Sequence, residues 1–144
     1  MTREAFVNGQ YKEFDNAMVH IEDRGYQFAD GVYEVFAVID KKIVDYDGHI
    51  NRLFRSLKEI SIKSPIVKES YFFHIKNLLY KNNIKDGLVY LQITRGVAHR
   101  DFKFPKNVKS SIVITAKNIS MESYHSKFDS GITVKTTTDL RWKR

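Results

Sequence analysis

The chain has 144 residues, of which 42% are hydrophobic and 13% aromatic, and it contains no cysteine. That is enough for one domain with a real core, and it excludes a disulfide scaffold, a thiolate metal site and a cysteine nucleophile. The net charge of +7 is uneven: residues 1–48 hold 5 Lys/Arg against 10 Asp/Glu, whereas residues 49–144 hold 19 against 7.

In chain order, Ala5 to Tyr11 reads as a short hairpin turning at Asn8-Gly9. Gly31 to Ile39 (GVYEVFAVI) is rich in β-branched and aromatic residues and predicts a strand. Asp40-Lys41-Lys42 turns the chain, and Ile43 to Tyr46 is expected to return beside that strand. Asp47 is placed to cap a helix. Ile50, Leu53, Phe54 and Leu57 recur at i, i+3, i+4 and i+7, the spacing of one apolar helical face. A second helix is predicted from Ser64 to Lys81, with Pro65 near its start and Phe72, Ile75, Leu78 and Leu79 as its buried stripe. Gly87 to Gly96 is a further strand, with Val89, Leu91 and Ile93 alternating against Tyr90, Gln92 and Thr94. Ser111 to Ala116 follows as another strand. Asn118 to Ser130 is polar and reads as a link, and Ile132 to Thr138 has the composition of a strand.

The histidines, at 20, 49, 74, 99 and 125, form no metal-binding spacing, so no metal is expected. No Walker phosphate loop or dinucleotide fingerprint is present. The positive charge of the second part has no block of like residues, which disfavours nucleic acid as a partner and fits a positive lining for a small anion. Three groups stand out. Tyr33 could aim its phenol into a cavity from inside an apolar strand, or pack in the core. His49 and Arg52 are three apart on one helix face, and a guanidinium binds phosphate through paired hydrogen bonds. Arg100 sits in the loop after a strand, where binding residues often lie. No apolar run approaches a membrane span, and MTREAFVNGQ lacks a signal-peptide core. With no cysteine, the expected location is cytoplasmic.

The run from Glu22 to Val35 (EDRGYQFADGVYEV) closely resembles the corresponding segment of D-amino-acid aminotransferases. These are class IV, fold-type IV enzymes dependent on pyridoxal 5'-phosphate (PLP). His49-Ile50-Asn51-Arg52-Leu53, then Thr94-Arg95-Gly96, Arg100, Phe104-Pro105 and the block Asp139 to Arg144 continue the likeness in order. The resemblance implies an α+β fold: the small N-terminal domain of that family, an antiparallel sheet with two helices over residues 1–118. Residues 119–144 would be a linker and the first strand of a large domain. Branched-chain aminotransferases and aminodeoxychorismate lyases are alternatives within the family, and a non-catalytic dimerising remnant is another.

The resemblance also implies roles. Arg52 would hold the cofactor phosphate with His49 as its supporting neighbour. Tyr33 would help bind the substrate carboxylate, and Arg100 would reach that carboxylate from the partner subunit of a homodimer. Relatives commonly carry a histidine where this chain has Phe102, which cannot donate a hydrogen bond to a carboxylate. The family's Schiff-base lysine is expected beyond Arg144. Lys143 lies within the DLRWKR block, where relatives do not place that lysine. Residues 1–144 alone are therefore expected to lack transaminase activity.

Overall fold

The computed structural model describes residues 2–120 and 128–139. Strands β1 (Glu4–Val7) and β2 (Gln10–Glu13) form the expected hairpin, with Asn8 and Gly9 both at positive φ, 49° and 93°. A short helix α1 (Arg24–Phe28) leads into β3 (Gly31–Ile39), whose bounds match the sequence expectation. Gly31 is required there: a Cβ would lie 2.6 Å from the carbonyl oxygen of Ile93 on the neighbouring strand.

The return after β3 is shorter than expected. Asp40 and Lys41 take positive φ and make a two-residue turn, and β4 is only Lys42–Ile43. Asp45 then adopts the left-handed conformation, and α2 runs Tyr46–Glu59, so Tyr46 is helical rather than part of a strand. Asp47 lies in the first turn and is not the cap; the cap position is Asp45, and no side chain caps the helix. Helix α3 is Lys68–Lys81, starting later than Ser64. Ser64 Oγ donates to the Ile66 carbonyl at 2.6 Å and meets the Tyr71 hydroxyl at 2.6 Å, which holds residues 64–67 as a turn outside the helix. In the buried stripe, Tyr71 takes the place expected for Phe72. Tyr71, Ile75, Leu78 and Leu79 are buried, whereas Phe72 is exposed and packs edge-on against Tyr46.

Strands β5 (Gly87–Thr94) and β6 (Ser111–Asn118) complete one six-stranded sheet in the order β2-β1-β6-β5-β3-β4. Every pairing is antiparallel. This is the α+β arrangement expected. Residues 131–139 form no strand, contrary to the expectation for Ile132 to Thr138, and all are exposed. No described strand is paired with them, and a strand needs a partner for its backbone groups. Leu140 to Arg144, including Lys143, and His125 lie outside the described residues.

Side chains alternate across the sheet with period 2. One face carries Phe6, Phe36, Val38, Val89, Leu91, Ile93, Ile112 and Ile114, all buried beneath Ile50, Leu53 and Leu57 of α2 and the α3 stripe. Full burial of each such side chain contributes about 1.5–3 kcal/mol. On the opposite face α1 packs its Gly25 against Thr94 at one end of β5, and the strand centres are more open. Tyr33 pairs with Gln92 there, Gln92 with Val113, Val35 with Tyr90 and Tyr90 with Thr115, and these residues are half-buried or exposed.

Candidate functional site

Glu34 shares its parity along β3 with Phe36 and Val38, so it points to the helix-covered face and is 2% exposed. A carboxylate in that position needs partners. Helix α2 brings them on one face. Arg52 donates from Nε to Glu34 Oε1 at 2.8 Å and from Nη2 to Oε2 at 2.6 Å, a bidentate pair. His49 Nδ1 lies 2.7 Å from Glu34 Oε2. Because the carboxylate only accepts, His49 donates from Nδ1 and leaves Nε2 as its outer nitrogen. Burial works against ionisation of Glu34. The hydrogen bonds and charge of Arg52 and His49 outweigh it and hold the carboxyl below its ordinary value. Glu34 in turn raises the pKa of Arg52, with smaller contributions from Asp45 and Tyr33.

The Arg52 side chain is 55% exposed, and Glu34 engages only one edge of it. Its remaining N–H groups are available to an anion such as a phosphate. Tyr33, next to Glu34 in sequence, points to the other face. It is 64% exposed and stacks on Tyr90 with ring centroids 5.6 Å apart. Tyr33 is therefore not a core residue.

A second cluster fixes the loop that carries Arg100. Asp23 caps α1 by accepting from the Gly25 backbone N–H at 2.8 Å. Ala29 ends the helix in the left-handed conformation and turns Asp30 inward. Asp30 receives Arg24 Nε at 2.8 Å, Arg95 Nε at 2.7 Å and Arg95 Nη2 at 3.0 Å. Burial raises the Asp30 pKa, but the two arginines overcome this and hold the carboxyl below its ordinary value. Arg24 Nη1 also donates to the Asp101 carbonyl at 2.8 Å, and Arg95 Nη2 to the Ile60 carbonyl at 2.9 Å just past α2. Backbone bonds from Arg24 to Gly96 and from Ala98 to Glu22 complete the attachment. Arg100 is exposed over the rings of Phe28 and Phe102. Among the described residues no contact joins it to Tyr33, His49 or Arg52.

The structure thus brings His49 and Arg52 together, places Tyr33 on the opposite face of the sheet from their partner Glu34, and holds Arg100 apart. Reading the sequence missed Glu34, Asp30, Arg24 and Arg95. For Glu34 a signal existed: a carboxylate at the inward parity of an apolar strand, ahead of a helix bearing His49 and Arg52. In the Asp30 cluster Arg95 is sixty-five positions from Asp30 and left no local signal, whereas Arg24 is only six away, within the Glu22 to Val35 run. His74 is structural. Its Nδ1 and the Tyr11 hydroxyl share a hydrogen bond at 2.9 Å, its ring packs on Phe6, and burial lowers its pKa.

The family model for amino-transferase class IV matches residues 31–144. A D-alanine aminotransferase from Staphylococcus haemolyticus is 38% identical over 140 residues, covering 96% of this chain and 49% of that protein. One from Listeria monocytogenes serotype 1/2a (strain 10403S) is 40% identical over 139 residues, covering 96% and 48%. The chain spans about half the length of the curated relatives it matches. Among solved structures, a branched-chain amino acid aminotransferase from Escherichia coli superposes with a TM-score of 0.76 at 17% identity, covering 83% of this chain and 40% of that one. A branched-chain amino acid aminotransferase of T.th., complexed with N-(5'-phosphopyridoxyl)-L-glutamate, gives a TM-score of 0.75 at 15% identity, covering 83% and 41%. At these identities the structural likeness concerns the fold.

Proposed function

Because the chain belongs to the class IV aminotransferase family, we propose that it supplies the N-terminal half of a PLP-dependent transaminase that moves an amino group between a D-amino acid and a 2-oxo acid. The observation that carries this reading is the Arg52–Glu34 pair. It fixes the orientation of one edge of a guanidinium and leaves the other edge open. A phosphate suits that open edge, and guanidinium geometry matches it. His49 supports the arrangement through Glu34. Bound PLP supplies the electron sink for amino transfer.

Tyr33 and Arg100 take the substrate carboxylate in this reading. Arg100 has no contact with Tyr33 or Arg52, which favours its serving the site of a partner subunit in a homodimer. The open sheet face, with Tyr33, Val35 and Tyr90, is where further protein surface would pack. Residues 1–118 act as the small domain, and residues 119–144 lead toward the rest of the fold. Turnover then requires the portion corresponding to the second half of the relatives.

The test has two arms. Residues 1–144 are mixed with PLP, D-alanine and 2-oxoglutarate, alone and joined to a segment matching the second half of a relative. The expected result is pyruvate formation by the joined protein only, reduced strongly by Arg52→Ala. Turnover by residues 1–144 alone, surviving Lys143→Ala, would overturn the need for the second half. A joined protein that consumes L-isoleucine and not D-alanine would overturn the substrate class.

A further inference from the structure

Arginines and phenylalanines alternate along one flank of the domain. Arg95 Cζ lies 4.6 Å from the Phe104 ring centroid, and Arg24 Cζ lies 5.7 Å from that ring and 4.7 Å from Phe28. Arg100 Cζ follows, 5.3 Å from Phe28 and 5.5 Å from Phe102. At such separations the ring quadrupole attracts a cation.

The three guanidinium groups differ in how their charge is met. Arg24 and Arg95 are largely buried, and both pair with Asp30. Arg100 is exposed, and among the described residues no carboxylate lies within ion-pair distance of it. Its side chain meets two rings instead. A carboxylate partner would neutralise it, whereas a ring restrains it and leaves the charge in place.

The geometry also gives a direction. The Phe28 and Phe102 centroids are 5.8 Å apart and tilted by 60°. With the two distances to Arg100, the three points make a nearly equilateral triangle. Both rings therefore lie on one side of the guanidinium and form a corner. The backbone between Arg100 and Phe102 is tethered as well, since Arg24 Nη1 holds the Asp101 carbonyl at 2.8 Å.

We infer that Phe102, backed by Phe28, is a positioning residue for Arg100: the aromatic corner holds the inner side of the guanidinium and presents its outer side to a small carboxylate. This rests on the proposed carboxylate role of Arg100. A planar carboxylate matches the guanidinium fork. Phe102, 80% exposed, adds apolar surface beside the guanidinium.

The test uses the full 144-residue chain with isotope-labelled arginine, and pyruvate as the probe. In the wild type the Arg100 Hδ protons are shifted upfield by ring currents, and pyruvate perturbs the Arg100 Nε–H signal. Phe102→Ala returns the Hδ protons toward free-arginine values and weakens pyruvate binding about 2- to 5-fold, the scale of an exposed cation–π contact. Phe102→Trp restores both. Phe102 is exposed, so these variants should fold, which far-UV circular dichroism verifies. Free-arginine Hδ shifts in the wild type, or unchanged pyruvate binding in Phe102→Ala, would overturn the inference. If Arg100→Gln leaves pyruvate binding intact while the wild-type Hδ protons remain ring-shifted, the carboxylate role of Arg100 fails and the aromatic corner stands.

Discussion

Arg52 and Glu34, eighteen residues apart, meet through two hydrogen bonds of 2.8 and 2.6 Å, one member half exposed and the other almost wholly buried. The carboxylate serves as a fixed base on which the guanidinium is oriented. Arg52→Lys keeps the charge but loses the fork, because an ammonium cannot make the same paired contact. The expected result is weaker PLP binding with the fold retained, measured by cofactor fluorescence in the joined protein alongside circular dichroism. Equal affinity for the two forms would show that orientation by Glu34 does not matter.

Acid should destabilise the domain through Glu34 and Asp30. Both carboxyls have folded pKa values below their ordinary ones. Between the two values the unfolded chain binds more protons, so this contribution is complete above the ordinary carboxylate range near about pH 4 and is lost as pH falls through the folded values. Urea denaturation from pH 6 downward should show the fall, and Asp30→Asn should flatten it. A wild-type curve level through that window would remove both pairs from the account.

Asp30→Asn should also loosen the Arg100 loop, because Arg24 and Arg95 lose their shared carboxylate. Breaking a buried pair typically costs about 3–5 kcal/mol. Hydrogen exchange at the Ala98 amide, which bonds the Glu22 carbonyl, should quicken more than at Leu91 in the centre of β5. Uniform acceleration across the domain would mean that the cluster acts on global stability alone.

Tyr71 should be among the last tyrosines to ionise. Burial lifts its pKa to about 12, against the opposing hydrogen bond with Ser64. Ultraviolet titration of the wild type and Tyr71→Phe should differ by one phenol at the alkaline end. Loss of that phenol near pH 10 instead would show that the ring is wet.

Leu53→Ala should cost about 2–5 kcal/mol, because Leu53 is fully buried where α2 meets the sheet. Gly31→Ala should also destabilise, since its Cβ would press on the Ile93 carbonyl at the start of β3. Thermal or urea unfolding checks both, and native-like stability in either would contradict the packing described.

Local chemistry made much of the fold legible. Asn8-Gly9 turns the first hairpin, the β-branched run bounds β3, and the Ile50, Leu53, Leu57 spacing sets the buried face of α2. The short β4, the later start of α3 and the exchange of Phe72 for Tyr71 were not legible. Each depends on a contact with a distant or non-helical neighbour, such as Ser64 against the Tyr71 hydroxyl.

The same division holds at the site. His49, Arg52, Tyr33 and Arg100 could be named from residue type, spacing and resemblance. What orients them was decided in three dimensions. Strand parity turns Glu34 under α2, the left-handed Ala29 turns Asp30 between two arginines, and the corner of Phe28 and Phe102 receives Arg100. Periodicity in a sequence specifies which face a residue occupies. Only the packing of one element on another specifies which buried charge it will meet, because that pairing is set by distance in space and by the cost of leaving a carboxylate without a partner.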